Sequence, residues 1–297
     1  MSQNFEHAKS RLENISAIEP LLGALRTMSM GTWQMALNKI DQMNAYEENY
    51  NHIIAEILPN IKKPRFKSKN RKDKKPEITD TIILLIGTER GLCGKFNETL
   101  IDQSLNWIKD LDVPSYQIWA MGSRLIRKLK QMDVKISWRQ LLPATDLTTY
   151  QQAFIQTQEW VEQYEAYAFS QFFVLFNQIE KGGRYQFSTF KLLPYENQYL
   201  QASQKQLTEK WPPPIIETDP KGIYSKIIQH YIAASFYKLT LKSAAAEHAA
   251  RFNLMEEAKD NAEDIIEELR RVINSERKRQ ITQQMQELAA GAGLLDN

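Results

Sequence analysis

Apolar residues recur at helical spacing along both ends of the chain and form short solid or alternating runs through its middle. Between residues 223 and 290 lie 68 consecutive positions without a Gly or a Pro, although the chain holds 11 of each. A window of that length would lack both by chance roughly half a percent of the time, so the gap predicts one long helix. Its interior is rich in Ala, Glu, Lys, Arg, Gln and Leu, the strong helix formers. Phe252, Met255, Ala262, Ile266, Leu269 and Ile273 follow one another at coiled-coil steps, with Lys259 as the interruption of the seam. A second stripe runs beside it through Leu254, Ala258, Ile265 and Val272.

At about 1.5 Å per residue such a helix spans about 100 Å, twice the ~50 Å diameter of a compact chain of this length. The pattern therefore predicts a rod that needs a partner for its apolar edge, and the other terminus offers one. Leu21, Leu25, Met28, Thr32 and Met35, then Ile40, Met43, Tyr50, Ile54 and Ile57, give a similar repeat up to Pro59. The two ends are expected to pair as an antiparallel coiled coil. Pro20 and Gly23 predict that the first helix either starts at Pro20 or kinks there.

The rhythm changes in the middle. TDTIILLIGT reads as a buried strand, ETLIDQSLNWIKDL as a helix, YQIWAMG as a strand, SRLIRKLKQM as a helix and VKISW as a strand. TYQQAFIQTQEWVEQYEA reads as a helix, and QFFVLFNQI with YQFSTFKLLP, separated by KGGR, as a hairpin. Strands alternating with helices predict a small sheet of mixed direction with helices on its faces. The expected organisation is an N-terminal coiled-coil helix over 1–60, a basic linker over 61–77, an α/β domain over 78–195, a connector over 196–220 and a C-terminal coiled-coil helix over 221–297.

Charge changes this picture only locally. The 38 Lys and Arg nearly balance the 36 Asp and Glu, leaving +2 overall, so the whole chain is no polyanion binder. Nine basic residues fall between Lys62 and Lys75, with Phe66 as the single aromatic. That stretch reads as a solvated linker, with a polyanion or anionic-lipid patch as the other reading. Cys93 is the single cysteine, which excludes an internal disulfide framework and points to a reducing compartment. No secretory signal is visible at the start, and no apolar run approaches the roughly 20 residues that cross a bilayer.

No enzyme site can be assembled from these residues. GTERGLCGKFN follows the first strand where a phosphate loop would sit, but Glu89 and Phe96 occupy the positions a Walker loop gives to Gly and to Ser or Thr. A strand-to-helix turn is the better reading, with Cys93 as a small packing residue, since no His lies in the surrounding domain to act as its base. His7, His52, His230 and His248 all fall on the two long helices and show no metal-ligand spacing. The acidic stretch from Glu256 to Glu268 and the basic one from Arg270 to Arg279 read as solvated helix faces.

Together these features resemble the gamma subunits of the rotary ATP synthases. The residues that carry the likeness are GLCGKFN at 91–97, LLP at 141–143 and 192–194, and above all SAAAEHAARFNLMEEAKDNAEDIIEEL at 243–269 with INSERKRQITQQMQELAAGAG at 273–293. The resemblance implies an α/β fold class in which a long antiparallel coiled coil of the two terminal helices carries a small Rossmann-like α/β domain with a mixed sheet. It implies a central rotor shaft within a ring of alpha and beta subunits, coupling ion-driven rotation of the membrane ring to the catalytic cycle of beta. The chain itself would hold no catalytic residue, cofactor or metal. Its partners would be alpha, beta, epsilon and the membrane c-ring, with no nucleic acid, as a peripheral subunit at the cytoplasmic face. Carried over by position, Leu25, Arg277, Lys278, Thr282 and Gln284 fall where such shafts touch beta, and Gly91, Leu92, Cys93 and Gly94 form a structural turn. Lys278 stands where the family usually has Gln and Gln284 where it usually has Glu, and the stretch IEPLLGALRTMSMGTWQMAL departs from the family's N-terminal motif, marking a divergent member. A coiled-coil scaffold or adaptor that binds polyanions through Lys62 to Lys75 is the alternative.

Overall fold

A computed structural model of the protein describes residues 3–57, 80–144, 146–180, 184–195, 217 and 219–291. The basic linker, the hairpin turn at 181–183 and nearly all of the connector lie outside the described residues. In chain order the elements are α1 (Gln3–Ile57), β1 (Thr81–Ile86), α2 (Phe96–Asp110), β2 (Tyr116–Met121), α3 (Ser123–Gln131), β3 (Trp138–Gln140), α4 (Tyr150–Glu165), β4 (Gln171–Ile179), β5 (Tyr185–Leu193) and α5 (Pro220–Gly291). The chain divides into two compact units, Met30–Ala250 on the one hand and Met1–Ser29 with Arg251–Asn297 on the other, and α1 and α5 contribute to both.

The larger unit is built on a five-stranded sheet in the order β3-β2-β1-β4-β5. β1 lies parallel to β2 and β4, β2 parallel to β3, and β5 returns antiparallel to β4, so the sheet is mixed as expected. The run TIILLI has no polar alternation because both faces of β1 are covered. Ile82, Leu84 and Ile86 face a core shared with α1, α4 and α5, and Ile83 and Leu85 face a second core shared with α2 and α3. Where VKISW is expected to be a strand, β3 instead spans Trp138–Gln140. The Val134 amide is taken by Leu129 O at the end of α3, so the chain turns before it can pair, and the ladder begins where Trp138 meets Trp119.

Aromatic rings fill the first core. Trp160 lies 4.8 Å from both Phe172 and Phe236, and Trp119 lies 5.1 Å from Trp138, centroid to centroid. Such offset and edge-to-face pairs add to the apolar area they bury. α4 is held at its start by a reciprocal capping box between Thr149 and Gln152. In this unit α5 is buried on every side over Tyr231, Ile232, Ala233, Ala234, Ser235, Phe236 and Tyr237, as a helix with neighbours all round must be.

Along α1 the buried and half-buried side chains recur at alternating steps of four and three. In the smaller unit this row runs through Ala8, Leu12, Ile15, Glu19, Leu22, Arg26 and Ser29, and in the larger through Trp33, Ala36, Ile40, Met43, Glu47, Tyr50, Ile54 and Ile57, with others such as Leu25, Thr32 and Leu37 half-buried beside it. This is an unbroken heptad repeat. It corrects the first half of the expected seam, because Leu21, Met28 and Met35 are 62%, 60% and 52% exposed, whereas Ile40, Met43, Tyr50, Ile54 and Ile57 lie on it as expected. The physical reason lies in the polar members that an apolar count passes over. Glu19 lies 3.9 Å from Lys259, Arg26 pairs with Glu256, and Glu47 pairs with Lys238 at 2.5 Å. A charge can occupy a seam position once the facing helix supplies its partner.

Pro20 is likewise not a start. α1 begins at Gln3 and continues through Pro20, since Ala8, Leu12 and Ile15 extend the packed seam beyond it. In the smaller unit the helices are antiparallel: as α1 advances from Glu19 to Arg26, the partner on α5 retreats from Lys259 to Glu256. Met255 and Ala262 are buried on α5, and Phe252, Ile266, Leu269 and Ile273 are half-buried. Val272, assigned to the neighbouring stripe, is 42% exposed.

Candidate functional site

Two features stand out as candidate sites: the turn between β1 and α2, and the exposed faces of the long helices in the smaller unit.

The turn is held rigidly and closed to phosphate. Asn97 at the start of α2 reaches back to Thr88, its Oδ1 accepting from Thr88 N at 3.1 Å while its Nδ2 donates to Thr88 Oγ1 at 2.8 Å. Leu92 and Gly94 both sit in the left-handed region, at φ 62° and 59°. Gly94 adopts this without strain, whereas Leu92 does so against its Cβ and stands 56% exposed. Cys93 points inward and packs with Phe96 against Ala246 of α5. Phe96, at the position a Walker loop gives to a magnesium-binding hydroxyl, is fully buried. Asn177 Nδ2 donates to Phe96 O at 3.2 Å, and Ser243 Oγ of α5 donates to Ile86 O at 3.2 Å, so sheet, turn and helix are tied at one point. The neighbouring loop needs Gly122: its φ is 102°, and an added Cβ would lie 2.7 Å from Thr88 O. Glu89, the residue that spoils the Walker pattern, caps α3 with Oε2 accepting from Ser123 N and Leu142 N, each at 2.9 Å.

Elsewhere in the larger unit a cluster of hydroxyls joins α1, α4 and α5. Tyr46 Oη and Tyr50 Oη lie 2.7 Å apart, and Tyr150 Oη lies 3.3 Å from His230 Nδ1. Burial first, and then the neighbouring Tyr46, push the Tyr50 and Tyr150 hydroxyls above their usual range, so they act as neutral hydrogen-bonding groups. Lys242 donates to Gln178 Oε1 at 3.5 Å, and burial with the adjacent Lys238 charge holds its ammonium below the usual lysine range.

The exposed helix faces have the opposite character. On α1, Ile18, Leu21 and Met28 are 50%, 62% and 60% exposed, and together with half-buried Leu25 they form a second apolar heptad stripe beside the covered one. On α5, Ile281, Met285 and Leu288 are 47%, 67% and 72% exposed and share a face by their spacing. Arg277, Lys278, Thr282 and Gln284 are exposed around them, and Thr282 Oγ1 donates to Lys278 O at 3.0 Å along the helix. The structure thus gathers four of the five carried-over contact positions on one stretch of α5 and places Leu25 on α1. Ile18, absent from the expected repeat, belongs to the same stripe by its spacing of three to Leu21 and seven to Leu25.

Comparison with known proteins agrees with this architecture. The family model described as ATP synthase matches residues 4–295. The ATP synthase gamma chain of Lactococcus lactis subsp. lactis is 26% identical over 297 residues, covering 99% of this chain and all of that one. The gamma chain of Buchnera aphidicola subsp. Schlechtendalia chinensis is 27% identical over 289 residues, covering 96% of each. A chain of the Euglena gracilis mitochondrial ATP synthase superimposes with a TM-score of 0.61 at 11% identity, covering 98% of this chain and 94% of that one. A chain of the Tetrahymena thermophila mitochondrial ATP synthase central stalk and c-ring does so with 0.55 at 17% identity, covering 80% and 99%. Two long helices and a small mixed sheet are the fold shared with these solved chains, and the chain belongs to the ATP synthase family. Its function is that of the gamma chains it resembles along its whole length, a rotor shaft in the rotary complex.

Proposed function

We propose that the apolar faces left open in the smaller unit bear on the alpha and beta subunits of the catalytic head, and that turning this shaft cycles the catalytic beta subunits. The observation that carries the reading is the doubled stripe on α1, one seam covered by α5 and a second, from Ile18 to Met28, at least half open to solvent apart from Leu25. Apolar side chains aligned this regularly on a surface mark a binding face. Leu25 on that stripe and Arg277, Lys278, Thr282 and Gln284 near the end of α5 are the residues assigned to beta. The α/β domain faces epsilon and the c-ring, which places the chain peripherally at the cytoplasmic face of the membrane. Catalysis belongs to the partner subunits, and this chain contributes asymmetry and torque.

The test is purification of tagged chain from its own cells followed by mass spectrometry of what accompanies it. Alpha and beta subunits in a fixed ratio, with ATP hydrolysis that is lost on truncation after Asn274, are expected. A stable monomer without these partners overturns the reading.

A further inference from the structure

The edge of the sheet at β3 carries a feature that the shaft does not use. α3 holds Arg124, Arg127, Lys128 and Lys130 within nine residues, and Lys128 is satisfied by Glu98 at 2.6 Å. Arg127, Lys130 and Arg139 of β3 have no ion-pair partner among the described residues. They converge on two adjoining hollows. One of about 520 Å³ is lined by Ile126, Arg127, Lys130, Arg139, Gln140 and Leu141. The other, of about 390 Å³, is lined by Lys130, Val134, Ile136, Trp138 and Arg139. Because Lys130 and Arg139 border both, the hollows form one elongated groove between α3 and β3. Between its cations the groove is lined mainly by aliphatic side chains, with the Trp138 ring and the hydroxyls of Ser123 and Ser137, and no carboxylate among the described residues lines it.

Two further observations narrow the occupant. β3 pairs only with β2 among the described strands, so its other side is an open edge. Gln140 Oε1 is buried and has no hydrogen-bond donor among the described residues. A small phosphate anion would meet the cations but leave the aliphatic lining and the strand edge unused. A second copy of the same edge is repelled by its Arg and Lys, a common protection against self-pairing. That same repulsion selects an acidic guest. We propose that this groove docks an extended segment of a partner polypeptide in which carboxylates alternate with aliphatic side chains. The carboxylates meet Arg127, Lys130 and Arg139, the aliphatic side chains cover Ile126 and Ile136, and backbone N–H groups serve the open edge. The inference concerns the α/β domain and stands apart from the contacts assigned to the shaft helices.

The experiment is fluorescence anisotropy of the full-length chain with a labelled seven-residue peptide alternating Glu with Val or Ile. Its control is a peptide of the same composition with all its Glu in one block. The alternating peptide should bind, with affinity reduced about tenfold by Arg139→Glu or Lys130→Glu and nearly kept in Arg139→Lys. The blocked peptide should bind several-fold more weakly. Absence of binding, equal binding of the two peptides, insensitivity to both charge reversals, or displacement by equimolar inorganic tripolyphosphate each overturns the proposal.

Discussion

α5 is one helix with two different environments. Over Tyr231 to Tyr237 every residue is buried within the α/β unit, whereas beyond Ile273 nearly every residue is exposed. The first stretch is rich in aromatic and aliphatic side chains, and its packing comes from its own chain. The second retains apolar residues at Ile281, Met285 and Leu288 but has no covering element among the described residues. Similar helical propensity therefore serves two ends: one stretch anchors the sheet, and the other presents a face. The same division marks α1, whose charged seam residue Glu47 is well shielded with Lys238, each 17% exposed, while Arg26 and Glu256 are 35% and 42% exposed.

The sharpest way to break this contrast is to remove packing from the anchored stretch. Phe236→Ala deletes a ring that is 1% exposed and 4.8 Å from Trp160, and should destabilise the larger unit by about 4 kcal/mol in denaturant unfolding. A loss below about 1 kcal/mol would mean that α5 is not integral to that core. Next in size is Glu47→Ala, which strands a shielded Lys238 and should cost about 3 kcal/mol. Arg26→Ala removes a pair of the same chemistry, with a guanidinium 5.4 Å above the Phe252 ring, yet solvent screening should hold its cost to about 1 kcal/mol or less. Equal effects at Glu47 and Arg26 would erase the distinction between the two units.

A pH-dependent contribution of similar or smaller size comes from Asp80. Its carboxylate accepts from Ser115 and then Gln117, and these bonds hold it below the usual carboxylate range. The folded state thus favours the ionised form, so the stabilisation is present above the ordinary carboxylate pKa and fades as pH falls through the depressed folded value. Because solvent screens this carboxylate, Asp80→Asn should cost less than about 1 kcal/mol at neutral pH, and the gap from the parent should close in acid. A gap unchanged down to acid would show that charge is not what those hydrogen bonds recognise.

Much of the architecture was legible because it rests on long-range periodicity. The gap free of Gly and Pro became α5, and the solid run TIILLI became the central strand of the sheet. The register of α1 was legible from Ile40 to Ile57 but not before Trp33, since the seam there runs through Glu19, Arg26 and Ser29, and only the facing helix reveals why the charged pair is allowed there. Treating Leu21 and Met28 as seam residues concealed the feature that matters most for function, namely that α1 carries two stripes and its own chain covers one. The turn at 91–94 could be placed by sequence, but Glu89 as the cap of α3 and the groove at β3 depend on strands distant in sequence and emerged only from the fold.

The adjacent pair Leu21 and Leu22 provides the most discriminating test, and its double variant on the open stripe the smallest expected effect on the chain alone. Leu22 lies in the covered seam and Leu21 on the open stripe, where it is 62% exposed, so one residue of displacement separates packing within the chain from packing between chains. Leu22→Ser should lower the stability of the isolated chain by about 2 kcal/mol, because it places a hydroxyl in a half-buried apolar contact. Leu21→Ser combined with Met28→Ser should change it by less than about 0.5 kcal/mol, since both side chains already face water. In the assembled complex the order should reverse: the double variant should recover less alpha and beta on co-purification, because those side chains lose water only against a partner. If Leu21→Ser destabilises the isolated chain as much as Leu22→Ser does, the heptad assignment fails. If the double variant is silent both alone and in assembly, the second stripe is not a bearing surface and the open face of α1 needs another explanation.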